Sequence, residues 1–272
     1  MKKIEYDTLS LIQKKLSKGR KTKIALSIAI SSDNTKAYVA CGYGGVVIFD
    51  IADIPIQVGS FRTHGYAFNV ALSSDGTKVY VSDGSNGITV KYVSDPHNIQ
   101  NVVVGGNIGY TVYIKLSSDG TKAYTINYES GLVIYKLIDN GMFVELHKIA
   151  SYSMPCWNKH SFTISNDDKT IFVLKEDSGI DTIELCNDKI ITKESFTTQD
   201  KINRIILSDN QKIAYAISGE NVIVLSIENN SLKKVINTHS LNRFVEDIII
   251  SGSDAYAKIG KDLIELVSIV KF

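Results

Sequence analysis

An all-β fold, a six-bladed β-propeller with four antiparallel strands in each blade, is predicted by three features of the sequence. A turn phrase rich in Ser and Asp recurs six times, with its Asp at Asp33, Asp75, Asp119, Asp167, Asp209 and Asp254, every 42 to 48 residues. An aromatic follows each phrase, at Tyr38, Tyr80, Tyr124, Phe172, Tyr215 and Tyr256. Between these marks apolar and polar residues alternate with a period of two, the signature of strands.

The turn comes first within each copy. Phrases such as Asp75-Gly76-Thr77-Lys78 carry residues that accept positive φ, which tight reversals between strands require. The strand before the turn keeps large apolar residues three and five positions ahead of the Asp, as in Ile30 with Ile28, Leu72 with Val70 and Leu116 with Ile114. Small residues such as Ala29 and Ala71 lie between them, as expected where sheets crowd together near an axis. The strand after the turn carries the aromatic. A Gly then opens a third strand in four copies (Gly45, Gly87, Gly131, Gly179), and Asn221 and Asp262 stand at the corresponding place in the others. For the second copy the expected strands are Phe68 to Leu72, Val79 to Ser82, Ile88 to Val93 and Ile99 to Val104.

A sheet of this size has two apolar faces and hides neither alone, so radial stacking of six such sheets is the predicted solution, one domain over residues 1–272. Too little chain follows the last expected strand, Leu263 to Val267, to supply a fourth. The segment from Leu9 to Ser17, within residues 1–18, is therefore expected to close the ring as the outer strand of the sixth blade.

Composition narrows the functional classes. A formal net charge of +1 provides no field for holding a polyanion, so nucleic acid is not an expected partner. There is neither an apolar leader nor a run of about 18 apolar residues, and no membrane partner is expected. Three cysteines, Cys41, Cys156 and Cys186, lack metal-ligand spacing and read as free thiols, which places the chain in the cytoplasm, or outside the cell if it is a fragment of a longer protein. A monomer without cofactor or metal is expected.

Several phrases carry a family likeness: Gly45-Val46-Val47-Ile48-Phe49-Asp50-Ile51-Ala52-Asp53-Ile54-Pro55, then Val58-Gly59-Ser60-Phe61, then Gly65-Tyr66-Ala67-Phe68-Asn69-Val70-Ala71. Gly87-Ile88-Thr89-Val90-Lys91-Tyr92-Val93-Ser94-Asp95-Pro96 and Gly109-Tyr110-Thr111-Val112 repeat the theme. In these the chain resembles the bacterial LVIVD-repeat β-propellers and, more loosely, the YVTN-type repeat proteins. The likeness runs through about residue 138 and fades afterwards. It implies the propeller fold and a binding role, and it brings no catalytic residues. Members are often surface or secreted proteins, a point on which this chain departs from them. A single Trp rules out the Trp-Asp signature of WD40 proteins.

Propellers work through the loops around their central channel, and Tyr43, His64, Tyr66, Tyr110, Tyr128, Trp157, His160, Arg204 and Arg243 are expected there as a partner-binding set, along with Arg20 and Asp83. Aromatics and Arg dominate binding hot spots, although packing between blades would account for many of the same residues. His64, His160 and His239, read as loop residues on one face, have the rough spacing of a three-fold metal site, but their offsets from the repeat Asp differ. Cys156 with His160 lacks the third group and the oxyanion donor that a nucleophile needs. The basic run from Lys14 to Lys23 fits a solvated outer strand as well as an anion site. The leading expectation is a non-catalytic module that binds a protein or peptide. The alternatives are a lactonase-like, metal-assisted hydrolase using carboxylates such as Glu246 and Asp247, and a small-ligand sensor.

Overall fold

The computed structural model describes residues 11, 12, 15, 16, 24–106, 108–153, 161–175, 179–199, 201–251, 254–259 and 262–266. Every named element is a strand, and the residues group into two compact units, one within 7–153 and one within 154–272. Among the described residues no helix is long and apolar enough to cross a membrane.

In the first unit β1 (Ser27–Ile30), β2 (Lys36–Ala40), β3 (Val46–Asp50) and β4 (Ile56–Phe61) form one antiparallel sheet in chain order. The next group is β5 (Asn69–Leu72), β6 (Lys78–Ser82), β7 (Ile88–Tyr92) and β8 (Gln100–Gly105), within two residues of the expected bounds. The third is β9 (Thr111–Leu116), β10 (Lys122–Asn127), β11 (Gly131–Asp139) and β12 (Phe143–Tyr152). The second unit holds β13 (Phe162–Ile164), β14 (Thr170–Leu174), β15 (Gly179–Cys186) and β16 (Lys189–Thr197), then β17 (Arg204–Leu207), β18 (Ile213–Ser218), β19 (Asn221–Glu228) and β20 (Ser231–Ser240). A three-stranded sheet of β21 (Asp247–Ser251), β22 (Asp254–Ile259) and β23 (Asp262–Leu266) ends the described chain.

The recurring turn is built by side chains. Ser31, Ser73 and Ser117 each donate a hydroxyl hydrogen bond of 2.6 Å to the Asp two residues on. Each Asp also accepts the backbone N–H of the Thr that follows the turn. The residue after the Asp is left-handed, at Asn34, Gly76, Gly120 and Asp168. In the fifth copy the same place belongs to Gln211, so Asn210, not Asp209, is the anchor, and it accepts Ser208 Oγ at 2.8 Å. Spacing alone pointed to the wrong neighbour because an amide oxygen accepts these bonds as a carboxylate does. In the sixth copy Asp254 opens β22 opposite Ser251 rather than standing in the turn.

The repeated aromatics anchor the stacking. Tyr38 is buried with Val70, Val79 and Val81 of the next sheet, and Tyr80 with Ile114, Ala123 and Val133 of the one after. In the second unit Phe172 packs with Ile205 and Ala214, and Tyr215 with Ile248 and Ala255. Each such ring contributes about 2–3 kcal/mol of burial. Asn69 ties three strands together: its Nδ2 donates to Ser27 Oγ of β1 at 2.8 Å and its Oδ1 accepts the Ile114 N–H of β9 at 3.1 Å.

Two features depart from the sequence reading. Leu11, Ile12, Lys15 and Leu16, expected in a closing strand, are helical, and the rest of that segment lies outside the described residues. Ile12 and Leu16 are buried against Ala37, Val39 and Phe49 of the first sheet. Residues four apart share a face in a helix and in a strand alike, which made the pattern ambiguous.

The other departure is in the outer strands of the first unit. In the four other four-stranded groups the third strand pairs along its whole length, from Val46 opposite Phe61 to Asn221 opposite Ser240. Pairing of β7 with β8 stops at Val90 opposite Val102. Past that point β8 joins β12 in parallel, with Val103, Val104 and Gly105 opposite Phe143, Val144 and Glu145, so the second and third groups form one eight-stranded sheet. Gly106 permits the approach: a Cβ there would lie 2.6 Å from the Leu146 carbonyl.

Candidate functional site: an aromatic ladder

The turns between the second and third strands of the first unit meet the segments that lead into the next sheet. Gly42 exchanges two backbone hydrogen bonds with Ala67, at 3.1 and 3.2 Å, and Gly84 does the same with Thr111 at 3.0 Å. Within the third copy, the Tyr128 N–H donates to the Tyr110 carbonyl at 2.9 Å, extending the pairing of β10 with β9. These bridges bring aromatic side chains together that are far apart in sequence. Tyr43 meets Tyr66 edge to face with ring centroids 4.8 Å apart, and Tyr66 meets Phe68 at 4.6 Å. Phe68 meets Tyr110 at 6.1 Å, and Tyr110 meets Tyr128 at 5.7 Å. These separations lie in the range where aromatic pairs attract.

The result is a continuous ladder of five rings with outward-facing members. Tyr43 is 78% exposed, Tyr128 44% and Tyr110 40%, while Tyr66 and Phe68 are half-buried between them. Gly42 is required for the close fit, since at φ +56° a Cβ would come within 2.6 Å of the Tyr66 ring.

Beneath the ladder two side chains at equivalent places hold the entering segments. Asp83, fully buried, accepts at Oδ2 from Gly65 N (3.1 Å), Asn86 Nδ2 (3.0 Å) and Thr89 Oγ1 (2.9 Å). Asn127 takes the hydroxyl of Thr125 at 2.6 Å and donates to the Ile108 carbonyl. Asp83 Oδ2 is fully engaged while its Oδ1 is buried without a hydrogen-bond partner among the described residues, and the side chains left outward are aromatic.

Of the expected partner-binding set, Tyr43, Tyr66, Tyr110 and Tyr128 come together in this ladder. His64 is exposed but lines a separate cavity with Asn86 and Lys91. Arg204, half-buried, holds Asp247 across β17 and β21 at 2.8 Å, so one of the two carboxylates considered for a lactonase site is already engaged by a cation. Arg243 is exposed, away from any strand. Trp157, His160, Cys156 and Arg20 lie outside the described residues. His239 is in strand β20 rather than a loop, beside Asn237 at 3.2 Å. Among the described residues no three His, Cys, Asp or Glu side chains gather as metal ligands would. Phe68, the ring that joins the two halves of the ladder, was read from sequence only as the start of a strand.

No family model and no curated protein matches the chain by sequence. Solved structures do match it, a β-propeller domain among them. The β-propeller domain of Cps50 (Swd1) from Myceliophteria thermophila aligns over 89% of this chain and 82% of its own, with a TM-score of 0.66 and 12% identity. The “putative 6-phosphogluconolactonase” of Bacteroides uniformis aligns over 86% and 77%, with a TM-score of 0.66 and 13% identity. Hydrazine synthase of Kuenenia stuttgartiensis aligns over 89% and 76%, with a TM-score of 0.64 and 16% identity. The class of protein is therefore an all-β protein with the β-propeller fold. At these identities the likeness extends to the fold and no further.

Proposed function

We propose that the chain is a non-catalytic interaction module, a six-bladed propeller that binds a protein or peptide through the ladder Tyr43, Tyr66, Phe68, Tyr110 and Tyr128. The observation that carries this reading is the continuity of the five rings, three of them exposed, across three successive copies of the repeat. Stiff aromatic side chains lose little conformational entropy on binding and offer large contact areas, which is why they dominate interface energetics. Six copies of the turn phrase and of the buried aromatic support the six-bladed count.

Selection of peptides from a displayed library tests the reading. Peptides that bind the wild-type protein are expected to lose at least tenfold in affinity against a Tyr43→Ala, Tyr110→Ala double variant. Failure to enrich any peptide, or binding indifferent to both substitutions, would overturn it.

A lactonase-like hydrolase is the second reading, favoured by the Bacteroides uniformis neighbour. That chemistry needs carboxylates free to hold a metal, and Asp247 is engaged by Arg204. Hydrolysis of a phosphogluconolactone by the purified protein, lost on chelation, would favour this reading over the first.

A further inference from the structure

Where β8 leaves β7 for β12, a cavity of about 490 Å³ opens between the two strands. Its lining takes residues whose side chains point to opposite faces of β7: Thr89 and Lys91 to one, Ile88 and Val90 to the other. Residues of both sets border it, so the cleft lies along the edge of β7 that β8 leaves unpaired.

The two ends differ in chemistry. At one, Lys91 Nζ donates to Asn101 Oδ1, an arrangement that turns the Asn101 amide nitrogen away from the lysine. At the other, Val90, Val102 and Val104 line the wall, with Ile88 and Ile108 beside them. Among the described residues no Asp or Glu lines the cavity, and Lys91 is the one lining side chain of fixed charge. Asp83, whose charge acts on Lys91, is fully buried and accepts at Oδ2 from Asn86 and Thr89. Burial pushes the Lys91 ammonium down from its ordinary pKa, against the pull of the Asp83 charge, so a second anion close to Lys91 would stabilise its charged form.

We propose that this cleft binds a small aliphatic monocarboxylate, its carboxylate on Lys91 and the Asn101 amide and its hydrocarbon body against Val90, Val102 and Val104. The volume falls within the range of small-molecule sites. A ligand with one anionic end and a branched apolar tail matches Lys91 at one end of the cleft and the valines at the other. The site is independent of the aromatic ladder, so either proposal stands or falls without the other.

The test uses 4-methylpentanoate as probe, with 4-methylpentylamine as the charge-reversed control. Titration into the full-length protein is followed by the methyl resonances of Val90, Val102 and Val104. Saturable shifts with the carboxylate and none with the amine are expected. Lys91→Met, which keeps the apolar stem, is expected to weaken binding at least tenfold. Asn101→Asp, an exposed change on β8 that sets a second carboxylate beside the lysine, is expected to do the same. Absence of saturable shifts with the carboxylate, equal response to the amine, or unchanged affinity in either folded variant overturns the proposal.

Discussion

The side-chain amide of Asn69 donates to the hydroxyl of Ser27 at 2.8 Å, and through this bond the first strands of two successive sheets are joined where neither offers the other a backbone ladder. Its carbonyl oxygen accepts Ile114 N–H from the first strand of the third group. One side chain therefore bridges the first strands of three copies of the repeat.

Replacing Asn69 by Leu leaves the Ile114 N–H without its acceptor beside a side chain only 1% exposed. A loss of about 2–4 kcal/mol in unfolding free energy is expected from an orphaned donor plus the second lost bond. Ser27→Ala removes one bond of the pair and should cost about 1 kcal/mol or less. Urea denaturation of the two variants checks the order.

The buried and exposed aromatics should separate cleanly. Tyr80, 2% exposed in the core between two sheets, is expected to cost about 3–5 kcal/mol on replacement by Ala. Tyr43→Ala, at 78% exposure, should leave stability within about 0.5 kcal/mol. Thermal melts of both, beside the peptide affinities, distinguish structural rings from binding rings.

The turn aspartates give the fold an acid limit. The Ser31 hydroxyl, then the backbone and side chain of Thr35, hold the Asp33 carboxyl at about 2, against an ordinary 3.8, and Ser117 with Thr121 holds Asp119 at about 2 as well. Asp75 and Asp167 are shifted the same way, chiefly by Ser73 and Ser165. Because the folded values are depressed, the unfolded chain binds more protons between pH 4 and 2. The contribution is complete above about pH 4 and lost as pH falls to about 2. Replacing Asp33, Asp75 and Asp119 together by Asn, the residue that serves at Asn210, is expected to flatten the melting temperature across that window.

Gly42→Ala introduces a Cβ within 2.6 Å of the Tyr66 ring at a backbone φ of +56°. It is expected to displace that ring and weaken selected peptides several-fold while every aromatic of the ladder is still present. Undiminished peptide affinity in a folded Gly42→Ala protein would show that the Tyr43 to Tyr66 contact does not matter for binding.

Most of the repeat was legible because turn chemistry and alternation are local. Asp33, Asp75, Asp119 and Asp167 stand where their turns require, and the strands of the second copy fall within two residues of their expected bounds. Four of the five ladder rings were legible as loop aromatics. Phe68 was not, because its role is set by distances to Tyr66 and Tyr110 that no periodicity encodes. The helical residues near Ile12 were missed because four-residue spacing suits both periods. The divergence of β8 left one trace, the consecutive Gly105 and Gly106, and its cause, pairing with β12, is a contact some forty residues away in the chain.

Fluorotyrosine labelling offers the most direct test that the outward rings form the binding surface. With the tightest selected peptide added, the resonances of Tyr43, Tyr110 and Tyr128 are predicted to shift together and saturate at one concentration, while those of the buried Tyr80 and Tyr124 stay in place. Saturation without movement of the three exposed tyrosines would place the binding surface elsewhere and contradict the account.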